Sequence, residues 1–505
     1  MKNQIENLTD PLKEAFANRF IIASKNRRRV EHLLQLAIRH FTVEGLQEAD
    51  LDSTGILYAE KLRNKFSALI MNSNYIWAYI EPPRWVEASD GDKAIFEKHT
   101  ETVFDIIQEG SNFELEKAKI LSDYLIGTTA LKINFTGNLI FPAEVEHCSL
   151  SSIFLGNDRK GKPGDVFYLK KGASKYTLSD TYGKDVLLQP AIKAIGDQDE
   201  FDFYEATILY DGKVLYAASL DGSFKNTFYF EEMEYNPWVI GRCELLPGSP
   251  YGCGPCIKAC MELLALKSKK KNLDKVGTRL ASPAYIGYGD VKDIKRSRVS
   301  KPDTISIFRN RSTSIEPVNY GNNVEVETFN IQEHKEVLRE IFYIDFISAI
   351  TDVDSLKNVT ATATQVAVAK FAEQIEPMYS MVQKELLKGI VMKTYECCLR
   401  ANLLSTDDIE YLKNNTRTSL RFYNAITMAQ EQEDLQRASM YIQDIFTKWG
   451  HAGVASAIKE EAHIDELMRR YRVSVKEFNT GKEMAAKMNE ILQQTQQVQT
   501  PQGGM

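Results

Sequence analysis

Three clustered cysteines and a run of lysines stand out as the reactive and charged groups set close together in this sequence. The stretch from Arg242 to Cys256 reads RCELLPGSPYGCGPC, so Cys253 and Cys256 close a Cys-Gly-Pro-Cys tetrapeptide of the kind found at dithiol–disulfide redox centres. That chemistry needs a thiolate, and a helix starting just beyond Cys253 would supply part of the field that lowers a thiol's pKa. The surroundings lack the rest: no β-α-β domain of suitable size encloses the motif, which falls where a long helix begins. Cys253, Cys256 and Cys260 would offer three sulfurs to a metal, but a structural zinc site takes four ligands and no histidine is near in sequence. A cytosolic thiol–disulfide oxidoreductase therefore stands as the minor alternative, and neither a metal nor a cofactor is expected. The seven cysteines (148, 243, 253, 256, 260, 397 and 398) are odd in number and unevenly spread, which fits reduced thiols better than a disulfide framework.

The lysines belong to a larger positive block. From Lys267 to Arg311 thirteen Lys and Arg face four Asp, a net of +9, so the rest of a chain with overall charge −7 carries −16. A charge run is often only a solvated face, but a positive block inside an acidic protein also marks a place where something anionic is met. Lys267, Lys271, Lys275 and Arg279 recur every four residues, which aligns them along one side of a helix. Other chemistry is absent. There is no GxxxxGK[ST], HExxH, GxSxG or complete GxGxxG, the seven histidines are scattered, and Asp352 with Asp354 is a lone Asp-x-Asp in a polar loop.

The secondary structure around these residues follows from composition and period. At 505 residues, with 43% apolar and 26% charged residues, the chain is an ordinary globular protein of about three domains or one large multi-part subunit. No apolar run approaches a membrane span of ~18 residues and MKNQIENLTD has no hydrophobic signal segment, so the chain is expected to stay in the cytosol where it is made, with no membrane partner. Asp10-Pro11 predicts a helix start with Asp10 as N-cap, followed by helices over ILYAEKLRNKFSALI and over about 92–127. β-Rich runs then begin at TALKINF and NLIFPAEV, and Asp211-Gly212 and Asp221-Gly222 fall at hairpin positions in YEATILY-DG-KVLYAASL-DG-SFKNTFYF. The N-terminal half reads as α+β.

From Gly254 a helix of about 28 residues, roughly 40 Å long, is predicted, with Ile257, Cys260, Met261, Leu264, Leu273, Val276 and Leu280 as its apolar positions and KSKKKN as a bare basic waist. A small β-containing insert follows to about Phe329, and a second helix runs over 331–350. After the polar TDVDSLKNVTATAT comes a very long helix to about Leu403, which Pro377 should kink by removing a backbone donor. The last hundred residues read as helices ending in a Gln-rich, disordered tail.

Five segments in order carry a resemblance over nearly the whole chain: DSTG at Asp52, SNFELEKAKILSDYLIGTTALKI at Ser111, PWVIGRCELLPGSPYGCGP at Pro237, TATATQVAV at Thr360 and EPMYSMVQKELL at Glu376. They resemble the portal, or head-to-tail connector, proteins of short-tailed bacteriophages. The resemblance implies an α+β, multi-part subunit without enzyme activity. Its parts are an α/β wing over 1–250, a two-helix stem over 251–281 and 331–350, a small α/β clip over 282–330, a channel loop over 351–362, a long kinked wing helix over 363–403 and a helical crown over 404–505.

It further implies a homo-oligomeric ring, typically of twelve subunits, at one capsid vertex of the virion, assembled in the host bacterial cytoplasm. Its partners would be double-stranded DNA bound without sequence preference, the terminase large subunit, tail adaptors, and capsid and scaffold proteins. A ring repeats a few cations around a hole through which DNA passes with a charge about every 1.7 Å of axis. Lys267, Lys270, Lys271 and Lys275, with Lys357 on the loop, are then candidates to line the channel; the alternative is that they face outward toward an acidic adaptor or capsid surface. Arg296, Arg298, Arg309 and Arg311 of the clip are candidates for docking the packaging motor and later the tail adaptors.

Overall fold

A computed structural model describes residues 3–42, 53–73, 75–83, 85, 90–157, 161–196, 199–281, 285–288, 314–317, 324–348, 361–404, 418–423, 427, 439–448 and 450. In chain order the elements are α1 (Asp10–Phe41), α2 (Thr54–Ile70), β1 (Ala78–Glu81), α3 (Asp90–Asp105), α4 (Phe113–Ile126), β2 (Thr128–Phe135), β3 (Ala143–Cys148), β4 (Ile153–Asn157), β5 (Pro163–Ala173), α5 (Lys175–Tyr182), α6 (Pro190–Lys193), β6 (Phe201–Tyr210), β7 (Lys213–Ser219), β8 (Thr227–Met233) and β9 (Trp238–Arg242). They continue with β10 (Glu244–Leu245), β11 (Gly252–Cys253), α7 (Pro255–Ala281), β12 (Tyr285–Tyr288), β13 (Ser314–Pro317), α8 (Val324–Ile341), α9 (Ala361–Met381), α10 (Lys388–Arg400) and β14 (Ser419–Phe422). Helix and sheet are mixed, as the α+β reading holds. The chain divides into two units, one of Met1–Lys65, Lys117–Lys132 and His147–Ser348, the other of Phe66–Glu116, Ile133–Glu146 and Ala349–Met505.

The first unit is built on a five-stranded antiparallel sheet in the order β4-β5-β6-β7-β8. Alternate residues of β7 face opposite ways: Leu215 and Ala217 pack with Phe16 and Phe20 of α1, while Tyr216 and Ala218 pack with Leu178 and Tyr182 of α5. The sheet is thus covered on both faces, and each fully buried aromatic such as Phe16 or Phe167 contributes about 1.5–3 kcal/mol of apolar burial. β2 pairs antiparallel with β9, Lys132 opposite Trp238. Lys132 of β2 ion-pairs with the buried Glu205 of β6, and Trp238 Nε1 donates to Thr207 Oγ1 at 2.9 Å, so polar contacts join this strand pair to the larger sheet.

Local chemistry explains where elements begin and turn. α1 starts one residue earlier than the Asp10 cap predicted: Thr9 is the extended N-cap residue and Asp10 and Pro11 are helical, which suits a proline lacking N–H. Asp211 (φ 53°) and Gly212 (φ 79°) make a two-residue left-handed turn closed by Tyr210 opposite Lys213, as their type predicts. The second Asp-Gly pair is different. β7 ends at Ser219 and β8 begins at Thr227, and Asp221 instead holds a longer loop by accepting from Ser223 Oγ and Asn226 Nδ2.

In the second unit β1 pairs antiparallel with β14, Tyr79 opposite Arg421, and Trp77 packs edge-on to Phe104 of α3 at 4.9 Å between centroids. The single helix predicted over 92–127 is broken. α3 widens into a π-helical turn at Ile106–Gly110, Ser111 is extended, and the Asn112 carbonyl accepts from Leu115 and Glu116 to start α4. Asn138 to Phe141, read as part of a strand, form a turn in which Asn138 Oδ1 accepts from the Ile140 N–H at 2.8 Å. The long helix after residue 361 holds Pro377 inside α9, and its irregularity is a π-helical turn at Val382–Leu387 leading into α10. The channel-loop residues 351–360, most of the insert over 282–330 and the tail lie outside the described residues.

Candidate nucleic-acid interface

α7 carries the lysines, and its start is set by three glycines. β11 pairs with β10, and the Gly254 N–H donates to the Ile126 carbonyl at 3.0 Å. A Cβ on Gly254 would lie 2.2 Å from the Leu125 oxygen, one on Gly252 2.4 Å from that of Gly127, and one on Gly127 (φ +153°) 2.5 Å from that of Gly252. Only glycine allows the end of α4 and the start of α7 to cross so closely. Beside the crossing, the buried Tyr251 hydroxyl accepts from the Leu155 N–H at 3.0 Å and donates to the Ile153 carbonyl at 3.1 Å, which pins this segment to β4.

One face of the first three turns of α7 is buried, and no residue from Lys267 to Thr278 is. Cys256, Ala259, Cys260, Leu263 and Leu266 form the buried stripe, whereas Met261, expected on it, is 69% exposed. The stripe is turned because α1, α2 and α8 enclose this end of α7. A Cβ on Gly55 would lie 2.7 Å from Leu263 and 2.9 Å from Phe41, so α2 approaches α7 at a glycine. Phe342, just past α8, packs against Phe41 with tilted rings 5.6 Å apart between centroids, and His334 Nδ1 lies 2.8 Å from Glu262 Oε2, joining α8 to α7.

This packing divides the lysine candidates. Lys267 and Lys270 are half-buried and turned toward the body of the unit: Lys270 Nζ donates to Thr54 Oγ1 at 3.2 Å. The buried His40 has its pKa lowered, first by burial and then by the charge of Lys267 and that of Arg39. Successive i+4 steps advance 40° around a helix, so Lys271 and Lys275 rotate out of that contact and both are exposed. Lys357, Arg296, Arg298, Arg309 and Arg311 lie outside the described residues. Thr54, Gly55 and the Glu262–His334 pair escaped sequence reasoning, because nothing in DSTG signals a partner more than two hundred positions away.

The cysteines do not form a reactive centre. All seven are free thiols, and Cys256 and Cys260 are buried, with the Cys260 Sγ donating to the Cys256 carbonyl at 3.3 Å. Burial pushes the Cys256 thiol well up and the Cys260 thiol up to about 12, and it raises the half-buried Cys253 as well. A redox dithiol needs the opposite shift. Among the described residues no group of three or more His, Cys, Asp or Glu could hold a metal ion, and no helix is long and apolar enough to cross a membrane.

The family model of the bacteriophage head to tail connecting protein matches residues 43–475. This chain belongs to that family. The connector's kinship is thus to a structural part of phage particles rather than to a group of enzymes, and its place is the virion. No curated protein matches in sequence. Among solved structures, a chain of the virion of a native gene transfer agent particle is similar at 8% identity and a TM-score of 0.33, over 74% of this chain and 90% of that one. A chain from the neck of an empty particle of that kind, computed with C6 symmetry, is similar at 8% identity and 0.33, over 83% and 90%.

Proposed function

We propose that the connector assembles into a closed ring at one vertex of the capsid, a channel through which the genome is packaged and later ejected, with no enzyme activity of its own. The observation that carries this reading is the exposed pair Lys271 and Lys275, one turn apart on α7 beyond its buried base, in a chain of the head-to-tail connecting family. In the ring residues 251–281 and 331–350 form the stem, with residues 1–250 as wing, the insert over 282–330 as clip, 351–362 as channel loop, 363–403 as the long wing helix and 404–505 as crown. Lys271 and Lys275 face the lumen and meet phosphates, without reading base edges, because a channel must pass every sequence. The clip, with Arg296, Arg298, Arg309 and Arg311, takes the terminase large subunit during packaging and tail adaptors afterwards, and the wing meets capsid and scaffold proteins.

Lys270 ties α7 to Thr54, Lys267 lies close enough to His40 to disfavour its protonation, and both contribute only background charge to the lumen. Electron microscopy of the purified chain tests the reading. It is supported by particles with countable subunits around a central hole, and it fails if the chain stays monomeric at high concentration across a range of salt.

A further inference from the structure

The face of α1 opposite the sheet is exposed among the described residues. Ile21, Ile22, Lys25, Arg28, Arg29 and Leu33 share it at helical spacing, with Ile21 and Ile22 51% and 54% exposed. Its buried counterpart, Phe16, Ala23, Arg27, Val30 and Leu34, is on the other side. Cations interleaved with exposed aliphatic side chains suit a protein surface better than a polyanion, whose phosphates gain nothing from isoleucine.

The second unit carries a surface of matching chemistry. Glu101, Asp105 and Glu109 recur at i, i+4, i+8 along α3 and its π-helical end, and like charges so spaced destabilise a helix on its own. Burial, then the charges of Glu109 and Glu101, raise the Asp105 carboxyl. The stripe ends at Gly110, where a Cβ would lie 3.0 Å from Phe141. Phe141 belongs to an apolar turn with Leu139 and Ile140 62% and 68% exposed. That turn is held rigid, with Asn138 Oδ1 accepting from the Ile140 and Phe141 N–H groups and Thr136 Oγ1 donating to the Phe141 carbonyl at 2.6 Å. Acid beside apolar thus answers base beside apolar.

A closed ring uses a head-to-tail contact, so every copy must carry two different, complementary surfaces. We propose that the basic–apolar face of α1 in one copy docks on the Glu101–Asp105–Glu109 stripe and the Leu139–Phe141 turn of the next copy. This inference rests on the ring reading and assigns the two faces that close it.

The test is charge reversal in the full chain. Arg28→Glu with Arg29→Glu, and separately Asp105→Lys with Glu109→Lys, should each raise the protomer concentration for half-assembly by about tenfold or more. The four changes together in one chain should restore it to within about threefold. The two double variants mixed in equal amounts should also co-assemble, because when they alternate each reversed face meets the other reversed face and each wild-type face meets a wild-type one. All the altered residues are exposed, and circular dichroism checks the fold. Asp105→Asn with Glu109→Gln adds a second readout: relieving the repulsion should leave the protomer as stable or more so while assembly weakens. Rings that form undiminished from the reversed variants, a combined variant that stays monomeric although folded, or loss of DNA binding with assembly intact would each overturn the docking. Absence of rings from the wild-type chain would instead sink the ring reading itself.

Discussion

Gly252 and Gly127 cross so closely that a Cβ on the first would stand 2.4 Å from the carbonyl oxygen of the second. The meaning of the Cys-Gly-Pro-Cys stretch is therefore in its glycines and not in its thiols. Gly252→Ala should cost about 3 kcal/mol or more, because both colliding groups are backbone, whereas Cys253→Ser should stay within about 1 kcal/mol of wild type. Urea denaturation of the two variants checks this, and neither wild type nor the Cys253→Ser, Cys256→Ser variant should reduce a disulfide substrate.

Much of this was legible in local chemistry. Pro11 and Pro255 mark helix starts, and Asp211-Gly212 marks a hairpin whose two residues both take positive φ. What could not be read is what long-range partners decide. Met261 has the right period for the buried stripe of α7, yet the neighbours α1, α2 and α8 bury Ala259 and Leu263 instead. Lys270 and Thr54 are 216 positions apart, so the division of the lysines into anchors and exposed cations had no sequence signal. Asp221-Gly222 carried the same letters as the true hairpin but serves a loop, because Asp221 side-chain acceptors replace the tight turn.

Tyr251→Phe removes one oxygen but two hydrogen bonds, those to the Leu155 N–H and the Ile153 carbonyl. Leaving a buried N–H without a partner should cost about 1–3 kcal/mol. The loss should appear as a lower denaturation midpoint with an unchanged slope against denaturant.

Glu205 should make stability depend on acid. Burial pushes its carboxyl up, but Lys132 and then Lys170 outweigh that and hold it below the usual carboxylate range. A carboxylate lowered in the folded state contributes stability that is fully present above its unfolded pKa of about 4.3 and is lost as pH falls through its lower native value. The urea midpoint should accordingly fall from about pH 5 down to about pH 2. Glu205→Gln, which leaves Lys132 buried without its counter-charge, should be destabilised by about 3–5 kcal/mol at pH 7 and flatten that fall.

Lys271→Gln with Lys275→Gln should weaken binding of the assembled ring to duplex DNA uniformly across sequences and lower the slope of log affinity against log salt, by about one for each phosphate contact removed. Lys270→Gln should change that slope less and lower the stability of the chain instead, since its ammonium is bonded to Thr54. Fluorescence anisotropy over a salt series separates the two.

The most direct measurement is a cryo-electron microscopy map of the assembled chain with DNA in the channel. The expected map shows a closed ring in which the exposed Lys271–Lys275 turn of α7 faces the lumen and approaches phosphates, with Lys270 against Thr54. A ring whose Lys271 and Lys275 lie on the outer surface, or a chain that forms no ring at all, would contradict it.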